Sequence, residues 1–405
     1  MLLFVFSAAA QFSSNRNYSL EESGDVIIIN GIDSSTELLY DQAHTTINWY
    51  KFSDPNTSIS NLNYISPDGD TGYIVEVDGK EETIWVLDYQ SYLPNLNEFE
   101  PVLEESTCEN TVFRINQNAV PEMPYYVLGN SAPRYIKREF TIKYNTKEYS
   151  EKTWDIVEKT ENITFPTSEI EVGASLLPNA EFTLSGDQIA DVLGLEPFSI
   201  KSNDNAITAI ESRLAVFVTV RNALNEVERP KESEPIPPIT ASAPIKILFE
   251  ARPTDESALF DWKIYLENAS TPLVTRTDKD HRYTFTSKGK YNVVLSVKNN
   301  DDCLYTDSVE INVNESLLEV PNVFTPNGDG VNDVFYVTYR SLASFHCWIY
   351  NNWGKLAYEW TNPERGWDGR VGGKKAPSGT YFYIIKAKGT DGVNYNLKGD
   401  VSIIR

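Results

Sequence analysis

The 405-residue sequence is poor in the residues that most often carry chemistry: it has three cysteines, three histidines and two methionines. Cys108, Cys303 and Cys347 form no CxxC pair, which excludes the usual structural zinc and thioredoxin-like motifs. Their odd number is compatible with one disulfide in an exported chain or with buried, reduced thiols. Cys347 fits the second reading, because it shares strand parity with Phe345 and Ile349. His44, His281 and His346 lie in no nucleophile motif, and GxSxG, HExxH and Gly-rich phosphate loops are absent. His346 and Cys347 are neighbours in a strand-like run, so their side chains point to opposite faces and make no dyad. Positive charge is also scarce. Lys+Arg number 35 against 58 Asp+Glu, a net charge of −23, which argues against nucleic acid as a partner. With so many acids, no pair of catalytic carboxylates stands out. No apolar run reaches the roughly 18 residues of a transmembrane helix. The expectation is a non-catalytic chain without a cofactor, calcium excepted as described below.

What is present points to β structure. There are 23 Tyr, 18 Phe and 8 Trp, and Val, Ile and Thr recur in short alternating runs. The length suggests roughly two to four domains. MLLFVFSAAAQ opens the chain with an apolar run, Leu2 to Phe6, followed by Ala8, Ala9 and Ala10. This reads as the remnant of a secretory signal peptide, residues 1–10, lacking its basic start. Residues 17–93 read as a first β domain, with strands in DVIIING, TTINWYKF, TGYIVEVDG and TIWVLDY. Residues 94–228 read as a second β domain, with strands REFTIKYN and LAVFVTVRN and a short helix capped by Ser185 or Asp187. EVERPKESEPIPPITAS then reads as a stiff, proline-rich linker, residues 229–242, separating the second domain from the third. In residues 243–315, Phe260, Trp262 and Ile264 alternate, as do Tyr291, Val293, Leu295 and Val297.

The last stretch, 321–405, has 10 Lys+Arg and 7 Asp+Glu, a net +3 that leaves −26 on the preceding 320 residues. A mildly basic tail on an acidic body suggests a segment with its own partner. The strand Gly379 to Lys388 carries Tyr381, Tyr383, Ile385 and Ala387 on one face, with Phe382 and Ile384 on the other. It reads as a central strand buried on both sides, and KGDVSIIR as the last strand with Val401 and Ile403 inward. In NGDGVND, Asn327, Asp329, Asn332 and Asp333 offer four side-chain oxygens around two glycines. This pattern suits an Asx-rich turn or, as the lesser option, a calcium loop.

Several words of the tail, in order, resemble a known family. Pro321, Asn322, Phe324, Pro326 and Gly330 in the first word, Trp353-Gly354, Trp367-Asp368-Gly369, and Pro377, Gly379 and Tyr381 resemble the gliding-motility-associated C-terminal domain of Bacteroidetes. That domain is the type B sorting domain of type IX secretion. The resemblance implies the secretion machinery as a partner and export through the periplasm to the cell surface or beyond. GKYNVVLSVKNNDDC in 243–315 resembles the PKD family of immunoglobulin-like sandwiches, though the WDFGDG loop is missing. Trp49 and Asp70-Thr71-Gly72-Tyr73 loosely resemble an immunoglobulin sandwich with its tyrosine corner. Asp307-Ser308-Val309 matches the short O-glycosylation sequon of Bacteroidetes, making Ser308 a candidate acceptor. The expected fold class is therefore all-β: a string of immunoglobulin-like and PKD-like β-sandwiches ending in a β-sandwich sorting domain. The expected function is adhesive or structural, with a surface protein or glycan as ligand. Two other readings are a component of the secretion or envelope-signalling apparatus, and a carbohydrate-binding or carbohydrate-active protein using residues 94–228.

Overall fold

Alternating apolar residues become paired strands nearly throughout, in a computed structural model that describes residues 11–405 apart from 22, 166, 203 and 205. The signal-peptide expectation lies outside the described residues. The chain divides into two compact units, the first ending at Ala209 and the second starting at Ile210. The α-helix among the described residues is Gln188–Val192, with Asp187 as its N-cap. None of the described helices is long and apolar enough to cross a membrane.

The first unit holds two sandwiches. In the first, a five-stranded sheet is ordered Tyr18–Leu20, Val26–Ile29, Lys80–Asp88, Thr71–Val77, Ile47–Lys51. A three-stranded sheet of Phe12–Ser14, Leu38–Tyr40 and Tyr64–Ile65 shares its core, so the domain starts before residue 17. Trp49 is fully buried and donates its indole N–H to Leu62 O at 2.9 Å. The Tyr73 hydroxyl accepts from the backbone N–H of Asp68 at 2.7 Å, which makes the tyrosine corner expected from the sequence. Val26–Ile29 is buried on both faces, as a strand paired in parallel (here to Trp85–Asp88) usually is. Ile27 and Ile29 face the sandwich core, while Val26 and Ile28 join a second cluster with Met123, Ile136, Ile189 and Leu193.

That second cluster ties the first sandwich to the next. There a sheet of Glu169–Gly173, Asn110–Ile115 and Phe99–Pro101 covers one of Thr153–Phe165, Arg138–Ser150, Phe182–Gly186 and Phe198–Ser202. A buried ion pair sits at the joint. Arg138 Nε donates to Asp187 Oδ2 at 2.5 Å, and Arg138 Nη1 donates to the carbonyls of Tyr92 and Pro121. Tyr89 donates its hydroxyl to Asp187 Oδ1 at 2.8 Å.

The second unit corrects two sequence expectations. LAVFVTVRN does not belong to the second domain: Ser212–Val218 pairs with Ile245–Pro253 in the third sandwich, beside Asp280–Phe285. Nor is 229–242 a linker between domains. The segment turns back over its own sandwich, with Val218 N–H bonded to Ser233 O and Arg221 N–H to Pro230 O. Ile239–Ala241 then pairs in parallel with Leu304–Val313, at the edge of a sheet that continues through Gly289–Lys298, Leu259–Leu266 and Val274–Arg276. An edge position tolerates neighbouring prolines because only one side of the strand needs donors. Trp262 is fully buried and bonded to Asp278 O, and the Tyr291 hydroxyl reaches Ser287 O, so this sandwich repeats the tryptophan and tyrosine anchors of the first.

The last domain is a five-stranded sheet ordered Val323–Phe324, Asn394–Ile403, Gly379–Gly389, Leu342–Tyr350, Leu356–Trp360, with a small sheet of Leu317–Glu319 and Thr338–Arg340. Phe335, Val337, Trp360 and Trp367 pack with it into one core. Cys347, Val401 and Ile403 point inward as expected. The expectation that Gly379–Gly389 is covered on both faces fails. It is central by hydrogen bonding, yet Phe382 is 49% exposed, because nothing in this unit packs on the outer face of the sheet.

Candidate functional site: the C-terminal domain

The sequence motif splits into two groups of residues. One group builds the domain. Phe324, Trp367 and Tyr381 are buried and in ring contact, with Trp367 5.5 Å from Phe324 and 5.0 Å from Tyr381 between centroids. Trp367 donates its indole N–H to Arg370 O, and the Tyr381 hydroxyl donates to Pro377 O. Gly369 has φ +72°, and a Cβ there would lie 2.9 Å from the Pro326 ring, so this turn requires glycine. Asn322 accepts the backbone N–H of Ser402. Pro321, Asp368 and Gly379 lie at the exposed edges of these turns. Arg405 draws three motif loops together, its guanidinium donating to the carbonyls of Pro326, Gly369 and Ala376. Sequence reasoning missed this residue, because its partners are all backbone carbonyls, which leave no pattern in the sequence.

The other group is displayed. Trp353 is 83% exposed at the tip of the hairpin between Leu342–Tyr350 and Leu356–Trp360. Asn351 fixes that tip by accepting the N–H groups of Trp353 and Lys355, and Gly354 takes φ +74°. Cross-strand register then sets the outer face of the sheet. Tyr350 lies opposite Phe382 and Leu356, and Trp348 lies opposite Ile384 and Glu359. His346 pairs with Lys386, Ser344 with Lys388 and Ile384 with Lys398. The face thus has an aromatic half, with Asp400 opposite Phe382 and Glu359 opposite Trp348, and a half that carries Lys386 and Lys388. His346 bridges them, stacked on Trp348 at 3.6 Å and 3.2 Å from a Glu359 oxygen.

NGDGVND folds on itself. Asp333 accepts the N–H groups of Gly328 and Gly330, and Asp329 accepts that of Val331 and a bond from the Asn327 amide. The Asn327 amide and the loop N–H groups hold the Asp329 carboxyl below the usual carboxylate range. Asn332, at φ +52°, contributes its backbone carbonyl to Thr325. The carboxylate oxygens a cation would use are thus engaged by the loop's own donors. Among the described residues, no group of three or more His, Cys, Asp or Glu is placed to hold a metal. Ser308 is exposed on strand Leu304–Val313, with Val309 buried beside it.

Two stretches match known families. Residues 318–403 match the CHU_C type IX secretion signal domain. Residues 101–202, where the sequence had suggested no family, match the fibronectin type III domain. No curated protein matches. Among solved structures, a tetra-tandem repeat from the extending region of a large adhesion protein aligns at 10% identity over 94% of this chain and 98% of that one, with a TM-score of 0.21. Dimeric latent PorU from Porphyromonas gingivalis aligns at 10% identity over 81% of this chain and 36% of that one, with a TM-score of 0.16. The chain therefore carries a type IX secretion signal at its C-terminal end and is an exported protein of the cell surface or extracellular space.

Proposed function

We propose that the chain is a non-catalytic surface component whose sandwiches serve adhesion or spacing, and whose last domain presents its outer sheet face to the secretion machinery. The observation that carries the docking assignment is the division of the motif: Phe324, Gly369 and Trp367 build the core, whereas Trp353 stands 83% exposed beside an uncovered aromatic face. Trp and Tyr are the residues that most often anchor interfaces. Lys386, Lys388, Lys398, Glu359 and Asp400 along the same face suit a partner surface with an apolar centre and a rim of complementary charges. Residues 210–315 are proposed as a PKD-like module, and Ser308 as a glycan acceptor on its exposed strand.

Replacing Trp353 and Phe382 with serine removes apolar contact from an exposed face, so the domain keeps its fold while export falls. The test is fractionation of cells producing the double variant. Periplasmic accumulation of a folded variant supports docking through this face; export at the parental level refutes it.

A further inference from the structure

We propose that a cavity in the first unit, beside Trp85, binds a neutral saccharide. This supplies the body with a ligand class and stands independently of the export route. The cavity is about 560 Å³ and opens to solvent, within the range of small-molecule sites. Its floor is aromatic. Trp85 lies 5.9 Å from Phe52, edge-on, and 5.2 Å from Tyr126, tilted. The ridge is built on a glycine: a Cβ at Gly72 would lie 2.4 Å from the Phe52 ring, so that ring rests directly on the peptide backbone. Trp85 is on the face of its strand opposite the sandwich core, flanked by Ile84 and Val86, which are fully buried. Its indole N–H is buried within the protein, so the ring's contribution to the cavity is apolar.

The rim is polar. Asp70, Asn130, Ser131 and Ser53 surround the opening. Tyr92 hydrogen-bonds to the Asp70 carboxylate, and burial first, then this bond, raises the Tyr92 hydroxyl, so the phenol stays protonated and fixes the acid. An aromatic floor of rings inclined to one another by 52° and 65°, inside a ring of hydroxyl, amide and carboxylate groups, matches a pyranose stacked on one ring, with its C–H face on the aromatic surface and its hydroxyl edge on the rim. The competing chemistries fit less well. A quaternary ammonium needs aromatic faces disposed around it, whereas here the three rings are neighbours along one wall and the opposite rim is Asn130 and Ser131. An anionic sugar would meet Asp70 and a body with an excess of carboxylates. A wholly apolar ligand would strip water from the rim acceptors without replacing their bonds.

The test is titration of the full chain with neutral oligosaccharides (cello-, laminari-, manno- and N-acetylchito-series), followed by tryptophan fluorescence and calorimetry. The expected result is saturable binding to at least one series at about millimolar ligand, as suits a shallow site, with a tenfold or greater loss in Tyr126→Ala. Trp85→Ala should abolish the response. Because Trp85 also packs against its neighbours, Tyr126→Ala, in the cavity's outer segment, is the variant that keeps the question answerable. Three outcomes overturn the proposal: no saturable response to any series at about 10 mM, undiminished binding in a folded Tyr126→Ala variant, or a response to tetramethylammonium in place of sugar.

Discussion

At the scale of single residues, Arg138 is the most exacting position. It is 2% exposed and its partner Asp187 is fully buried, so neither charge has water to fall back on. Arg138→Met leaves Asp187 charged and underpaired, and should cost about 3–5 kcal/mol in denaturant unfolding of the first unit. Adding Asp187→Leu removes the stranded charge and should recover part of that loss, although the helix cap goes with it. Tyrosines set the alkaline limit. Burial pushes Tyr73 up to about 12 from an ordinary value of 10. Burial also raises Tyr89, Tyr144 and Tyr339, with Asp187, Glu161 and Glu226 adding to it in turn. A folded-state value above the unfolded one means that the native state holds the proton longer. The stabilisation is therefore complete below pH 10 and is lost as pH rises through about 12. Phenolate absorbance should grow together with loss of near-ultraviolet dichroism. Ionisation that runs to completion while the dichroism stays native would contradict this. Burial likewise raises the Cys347 thiol, the free cysteine at the centre of the last core. It should resist alkylation in the native protein and react once denatured.

At the scale of elements, strands were legible and their partners were not. Trp262 and Ile264, or Tyr291 to Val297, show their parity in the text, and the structure buries the residues the alternation selects. The run from Ser212 to Val218 is equally plain as a strand, but period two says nothing about which sheet receives it, and its partner lies in the third sandwich. The proline-rich segment departs from a linker for a physical reason. Prolines remove donors, which rules out a central strand, yet a three-residue edge pairing such as Ile239–Ala241 asks little of the ladder. The turn just before it clasps the last domain. Asn225 donates to the carbonyls of Val337 and Pro363, Tyr339 N–H bonds Asn225 O, and Arg221 pairs with the buried Glu226. The Asn225 partners lie more than a hundred residues away and leave no local signature. Asn225→Ala removes two side-chain bonds to half-buried carbonyls and should cost about 1–3 kcal/mol of second-unit stability by denaturant titration; an unchanged midpoint would refute the clasp. The NGDGVND turn, with its carboxylates already engaged, should give no calorimetric heat with calcium at about millimolar concentration. A saturable exotherm would restore the calcium reading. Trp85 escaped the sequence analysis because aromatic alternation reads as core; its parity opposite Ile84 and Val86 was the signal available.

At the scale of the whole molecule, the charge contrast between tail and body takes on a different meaning. The basic tail is not a free appendage, since the Pro-rich segment binds it to the sandwich before it within the second unit. Three of its lysines, Lys386, Lys388 and Lys398, stand on an uncovered sheet face that also carries Asp400 and Glu359. The most direct test is cell fractionation after removal of residues 318–405, with antibodies against the first unit. The truncated chain is expected to accumulate in the periplasm while the full chain reaches the surface or the medium. Export of the truncated chain at the parental level would contradict this.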